Sequence, residues 1–236
     1  MIKKELHTFF ASPIGYLVIA LFLLFNGLFL FVFKTDFNIL NAGFADLNPF
    51  FYLVPWVFIF LIPAVTMRTF SDEIQSGTIE ILKTKPITNW QIVLGKYFGS
   101  LLLILIALLP TLIYFIAVYK LGNPIGNIDV ASTIGSYLGL LLLAGAFVAI
   151  GVFSSTFSAN QIVSFLVAVV VSFIFYYLPE IVAASFPFNG YFIQKLGMYQ
   201  HYQSLSKGLL ELKDVIYFLS VIVFFLFLTK SRVDSI

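Results

Sequence analysis

Runs free of Asp, Glu, Lys, Arg and His dominate the chain, at 8–33, 47–67, 97–119, 130–179 and 215–229. A membrane-spanning helix needs about 20 apolar residues, so each of the first three runs predicts one span. The run 130–179 is too long for one. The polar stretch Ser154-Ser155-Thr156-Phe157-Ser158-Ala159-Asn160-Gln161 divides it and reads as a tight turn between helices near 134–153 and 162–178. The last run is short, but Leu209, Leu210 and Leu212 extend it, with Lys213 and Lys230 snorkelling outward. The pattern predicts six spans. Lys3 and Lys4 resemble the start of a signal peptide, yet the following apolar run is too long and lacks a small-x-small cleavage site. The first span therefore reads as retained.

Between the spans the pattern changes. In 1–12, Ile2, Leu6, Phe9 and Phe10 share one helical face, while Lys3, Lys4 and His7 lie elsewhere around it. This predicts a short amphipathic helix lying in the membrane interface; a frayed tail is the plainer reading. Span two carries Pro55 and Pro63, which a membrane helix tolerates with a kink. The segment 68–96 holds the densest charge in the chain: Arg68, Asp72, Glu73, Glu80, Lys83, Lys85 and Lys96. Ser71 is placed to cap a short helix with Asp72 and Glu73 in its first turn. Gly77 is placed to close it. Pro86 breaks the helix, and Thr88 with Gln91 fits a capping box opening the next one. Gly95/Gly99 and Gly135/Gly139 have the Gly-x-x-x-Gly spacing, read as packing within the chain rather than as a dimer seam. The segment 180–214 is the longest outer one. Its part 181–194 is uncharged and includes Phe186, Pro187, Phe188, Gly190, Tyr191 and Phe192. That suits a re-entrant or interfacial hairpin, with a simple cap on the helix ends as the alternative. Residues 230–236 read as a short tail.

Composition agrees with this medium. Of 236 residues 61% are hydrophobic and 10% charged, and mean hydropathy is +1.03. Soluble domains carry about 25% charged residues, and disorder needs low hydrophobicity. Phe (29) and Tyr (12) suit a lipid-facing surface with interfacial rings. With no cysteine, disulfides, thiolate chemistry, iron–sulfur clusters and a lipoprotein anchor are excluded. Two distant histidines, His7 and His201, do not predict a metal site, and a net charge of +2 does not suggest nucleic acid.

With six spans both termini share a side. That side holds eight basic residues (Lys3, Lys4, Arg68, Lys83, Lys85, Lys96, Lys230, Arg232) against five on the other (Lys34, Lys120, Lys195, Lys207, Lys213), which places both termini in the cytoplasm. The spans contain no ionisable side chain except at their ends, where ion-coupled carriers place Asp, Glu, His or Arg within the membrane. Asn26-Gly27 in span one marks a distortion, a lining position or a packed interhelical hydrogen bond. No Gly-x-Ser-x-Gly and no His-Glu-x-x-His occurs. Gly95-Lys96 lacks the preceding glycine and the following Ser or Thr of a phosphate-binding loop. If transport here needs energy, that energy must come from another subunit.

The run Arg68-Thr69-Phe70-Ser71-Asp72-Glu73-Ile74-Gln75-Ser76-Gly77-Thr78-Ile79-Glu80-Ile81-Leu82, then Pro86, then Val93-Leu94-Gly95-Lys96, resembles the cytoplasmic signature of ABC-2 type permeases. The likeness extends over the whole chain as a single transmembrane domain, 1–236. It implies an all-α integral membrane protein with six spans, an N-terminal interfacial helix (Lys3, Lys4, Leu6, Phe9, Phe10), a cytoplasmic coupling helix and a half-buried segment before the last span. The stretch 206–217, Ser-Lys-Gly-Leu-Leu-Glu-Leu-Lys-Asp-Val-Ile-Tyr, resembles the gliding-motility permease branch of the Bacteroidetes.

The resemblance implies the permease subunit of an exporter in the bacterial inner membrane, serving gliding motility or secretion. It implies a second permease copy and a separate ATPase subunit that binds ATP and Mg, with no cofactor in this chain. Arg68, Ser71, Asp72, Glu73, Gln75, Gly77 and Glu80 would couple to that ATPase, Glu73 bracing the coupling helix and 71–77 making the contact. The plainer reading of these charges is a solvated loop face. Two other classes compete: a membrane-embedded enzyme of lipid or glycan metabolism, and a non-transporting anchor of a motility or secretion machine.

Overall fold

The computed structural model describes residues 2–41, 43, 45–84, 86–185 and 190–235, which are mostly helical with no strand among them. The expected apolar residues Phe186, Pro187 and Phe188 lie outside the described residues.

The chain opens with α1 (Ile2–Ala11). Pro13 at the first helical position, where a missing N–H is harmless, begins α2 (Pro13–Gly27). A π-helical turn, Leu28–Val32, continues it, so Asn26-Gly27 marks a helix distortion. Asn26 is fully buried and donates to Phe22 O of its own helix at 2.7 Å.

Helix α3 (Asn48–Thr66) contains Pro55 and Pro63. It runs through Met67 into α4 (Arg68–Gln75), which is followed by α5 (Thr78–Lys83). Next come α6 (Asn89–Leu108) and α7 (Leu112–Leu121), separated by one 3-10 turn at Pro110. The long run resolves into α8 (Val130–Ser154) and α9 (Gln161–Tyr176) around the polar turn, with Asn160 capping α9 through Ile162 N at 2.8 Å.

Five helical stretches are long and apolar enough to cross a membrane: 13–32, 48–75, 89–121, 130–154 and 212–235. The fifth predicted span differs from its expected straight form. Helix α9 is followed by α10 (Leu178–Ser185) across a bend of 46°, and the sixth crossing exists only if that bent pair is one span. Beyond it, α11 (Gly190–Gln194) folds back on α10. A Cβ on Gly190 would lie 2.7 Å from Ala183 O, so only glycine permits this approach.

Helix α12 (Met198–Ser206) packs on α8, and α13 (Leu212–Ser235) completes the bundle. Two expectations for the last span are corrected. Leu209 and Leu210 lie outside the helix, because Gly208 adopts a left-handed turn (φ +76°). The expected tail continues as helix to Ser235, held by an ion pair of Lys230 with Asp234 and by Asn89 donating to Asp234 at 2.6 Å.

Helix α8 is the axis. Its most apolar window is 72% buried inside the chain, against 28% for α2. A helix buried all round must be apolar all round, and small residues let its neighbours close in. The Gly135/Gly139 pair serves such packing within the chain: a Cβ on Gly135 would sit 2.6 Å from Leu205 O, and one on Gly139 3.2 Å from Tyr202. Gly99 likewise faces Glu5 of α1, where a Cβ would fall at 2.5 Å.

Helices α1, α4 and α5, the start of α6, the α8–α9 turn and the end of α13 gather at one end of the bundle, and α10 to α12 at the other. Both described termini therefore share an end.

Candidate functional site

The densest charge of the sequence folds into a helix–turn–helix at the end that holds the termini. Helix α4 starts at Arg68 rather than at Ser71, because α3 passes into it with Met67 still helical (φ −55°, ψ −27°). Ser71 is therefore not the cap it was expected to be. It is an internal, fully buried residue.

The far end of α4 closes as the sequence predicts. Ser76 N donates to Asp72 O at 3.0 Å, and Gly77 takes the left-handed conformation (φ +68°) that only glycine adopts cheaply. Ile79 and Leu82 root α5 in the core, while Gln75, Ser76, Gly77, Thr78 and Glu80 are exposed. After Pro86 the capping box forms: Gln91 N donates to Thr88 Oγ1 at 3.3 Å and Thr88 N to Gln91 Oε1 at 3.0 Å, opening α6.

Two turns into α6 stands Lys96, only 2% exposed. Its ammonium lies 2.9 Å from Glu73 Oε1 and 3.5 Å from Glu5 Oε1, donates to the Thr69 carbonyl, and sits 4.9 Å from the centre of the Phe70 ring. One buried cation thus ties three helices together: α6 by its own backbone, α4 through Glu73 and Thr69, and α1 through Glu5. Burying charge is costly, and such a pair survives because each charge has its counter-charge and hydrogen bonds. The balance here is one ammonium to two carboxylates, and Glu73 Oε2 is buried with no partner among the described residues.

Helix α4 is also stitched by hydroxyls to the α8–α9 turn and to the first turn of α9. Thr69 Oγ1 meets Ser155 Oγ at 2.8 Å. Ser71 Oγ meets Ser164 Oγ at 2.8 Å and lies 3.1 Å from Ser155 O. At the rim, Arg68 Nε donates to Gln161 Oε1 at 3.1 Å, and Gln161 Nε2 donates to Asp72 Oδ1. One amide so bridges a cation and an anion one turn apart on α4.

The structure separates the seven residues expected to couple to an ATPase into two sets. Ser71, Asp72, Glu73 and Arg68 hold α4 to the rest of the chain, whereas Gln75, Gly77 and Glu80 face outward. In α1, Phe9 is buried, Leu6 and Phe10 are half-buried, and Lys3, Lys4 and His7 are exposed. The inward face also carries Glu5, which apolar periodicity does not reveal. Lys96 enters the sequence reading as a charge flanking a span and as the end of the family signature, not as a buried group. The one local sign of its burial is its place between Gly95 and Gly99, which permit close approach.

At the other end, His201 is held by three contacts. Its Nδ1 lies 2.7 Å from Asp214 Oδ1, its Nε2 2.9 Å from Lys195 O, and its ring stacks on Tyr217 at 3.9 Å. Burial pushes the Tyr202 phenol well above its ordinary range, so it keeps its proton and donates to Phe51 O at 2.7 Å. These contacts fasten α12 to α3 and α13. Among the described residues no group of three or more His, Asp or Glu side chains is placed to hold a metal ion.

The arrangement is thus an exposed tip on a short helix whose root is bonded to α6, to the α8–α9 turn and to α9. No curated protein matches the sequence. The family model described as "ABC-2 family transporter protein" matches residues 1–233. With that match over nearly its whole length, this chain belongs to the ABC-2 family of transporter proteins, as a multi-pass membrane permease subunit.

Proposed function

We propose that the chain is the permease of an ATP-driven exporter, and that the α4–Gly77–α5 turn receives the stroke of a separate ATPase subunit that binds ATP and Mg. The observation that carries this reading is the contrast within α4: an exposed tip, Gln75 to Thr78 with Glu80, on a root fixed by Lys96 and by buried hydroxyls. A solvated loop face needs no such root. A part that transmits force does, because displacement at the tip must reach the spans as rigid-body motion.

Two copies of the permease would pair with two ATPase subunits. The end that gathers the termini would face the cytoplasm across the bacterial inner membrane, in keeping with the excess of Lys and Arg there. The likeness of 206–217 to the gliding-motility branch supports motility or secretion as the process served.

The test is co-expression with the ATP-binding cassette protein encoded in the genetic neighbourhood. The parent chain is expected to co-purify with it and to stimulate ATP hydrolysis. A Cβ on Gly77 meets nothing within 4 Å, so Gly77→Ala strains only the local backbone at φ +68°, by about 1–2 kcal/mol, and is expected to leave the bundle folded. It is expected to cut stimulation about tenfold, within the usual span of a coupling free energy. Unchanged complex formation and hydrolysis, both in this variant and when Gln75, Ser76 and Thr78 are replaced together by Glu, would sink the reading.

A further inference from the structure

Two of the three buried residues of α4 carry hydroxyls, where a helix normally turns apolar side chains to its core. Thr69 and Ser71 are buried there, and their partners Ser155 and Ser164 are fully buried too. Each of the α4 hydroxyls is bonded to the α8–α9 connection, and the Gln161 amide seals the rim between Arg68 and Asp72. Ser164 also reaches back toward Ser158 O at 3.4 Å, within the same connection. Helix α4 is therefore joined to three spans: to α3 covalently through Met67, to α6 through Lys96, and to the near end of α9 by this group of side-chain bonds.

The build of α9 suits it to receive motion. Its buried stripe is one residue wide, Ser164, Ala168, Ser172 and Tyr176, and small along three of its four positions. Its far end is pinned among rings: Tyr176 packs against Trp56, Phe147 and Tyr199 at 5.7 to 5.9 Å. A push at Ser164 therefore turns α9 about a fixed far end, next to the bend into α10.

We infer that Ser71 and Ser164 are positioning residues of the coupling step. Their hydrogen bond makes α4 and the near end of α9 one moving body, so that displacement of the α4 tip enters α9 directly and does not reach it only through α3. This rests on the functional reading above.

The chain has no cysteine, so a cross-link can be placed at this one point. With Oγ atoms 2.8 Å apart, Ser71→Cys/Ser164→Cys brings two thiols within reach of a 2.05 Å disulfide bond. The experiment uses the full chain with its ATPase partner in lipid nanodiscs. Ser71→Ala/Ser164→Ala is expected to bind the ATPase as the parent does, yet to stimulate hydrolysis about tenfold less. The oxidised cysteine pair is expected to hydrolyse ATP within about twofold of the parent and to lose that rate on reduction, as a coupling contribution of that size requires. An alanine pair that couples like the parent overturns the proposal, as does an oxidised pair slower than its reduced form. A purely structural bond would not give this redox-reversible rate.

If the parent chain fails to bind the ATPase, the functional reading falls, and hydrogen exchange on the isolated chain still judges the joint. Ser71→Ala is expected to speed exchange in 155–165 as well as in 69–76; a change confined to 69–76 overturns the joint itself.

Discussion

Lys96→Met is expected to destabilise the chain more than any other single charge removal. The substitution keeps the length of the side chain and deletes its charge. It leaves Glu73 and Glu5 without their counter-charge, with side chains 17% and 11% exposed, and removes one of the bonds to the Thr69 carbonyl. Removing one partner of a buried ion pair costs about 3–5 kcal/mol, chiefly because the remaining charge is uncompensated. Glu5→Gln/Glu73→Gln/Lys96→Met is expected to recover most of that loss, since it removes the stranded charges as well. Lys96→Arg is not a conservative exchange at a site this enclosed, because the planar fork needs more room. Thermal unfolding of the purified chain in detergent checks the series. The parent midpoint is expected to change little between low and high salt, because a buried pair is poorly screened. A Lys96→Met variant as stable as the parent would show that the triad carries no such interaction.

Gly151→Ala is the second large effect. A Cβ there would lie 2.0 Å from Thr66 Oγ1 and 2.9 Å from Thr66 Cβ. Thr66 cannot swing aside freely, since it is β-branched, fully buried, and bonded to Ile62 O at 2.9 Å. Helices α3 and α8 must then separate along the most buried seam of the bundle, at about 1–3 kcal/mol or more for overpacking. Thr66→Ala added to Gly151→Ala removes the 2.0 Å contact and leaves the 2.9 Å one, so partial rescue is expected. Gly145→Ala is expected to be milder, because its nearest neighbours, Tyr97 OH at 3.0 Å and Ile222 Cδ1 at 3.1 Å, are side-chain ends. Gly27→Ala, with nothing within 4 Å, serves as the harmless control. Yield of monodisperse protein and its melting midpoint measure all four. Equal behaviour of Gly151→Ala and Gly27→Ala would refute the argument.

These two predictions show what the sequence discloses and what it hides. Hydrophobic runs, the Thr88–Gln91 capping box, the Gly77 stop and the polar turn before Asn160 are local signals, and each stands where the pattern puts it. The bend after Tyr176 escaped, because hydropathy reports an apolar surrounding without saying whether lipid or protein provides it, and the helical course of 230–235 escaped because that stretch is polar and one of its anchors, Asn89, is distant in sequence. Ser71 misled for a related reason. A serine among charges has the composition of a cap, and only the arrival of Ser164 from far along the chain makes it a buried link. Lys96 and Glu5 are likewise distant in sequence, and no spacing rule connects a lysine near a span to a carboxylate in a separate helix. The candidate site was thus legible as a cluster of charge, while its division into an exposed tip and a fastened root required the fold.

The π-helical turn at Leu28–Val32 carries a meaning of its own. Phe33 N reaches back five residues to Leu28 O at 2.9 Å, so this segment holds one residue more than a regular α-helical turn would use. Elsewhere in a buried helix, deleting a residue rotates everything beyond it by about 100° and takes side chains off their faces. Here a deletion instead discharges the surplus and restores the ordinary winding, shortening the span by about 1.5 Å. The first membrane helix can therefore lose one residue at its closing turn without rotating any helix beyond it, since Phe33 is already extended (φ −73°, ψ 134°).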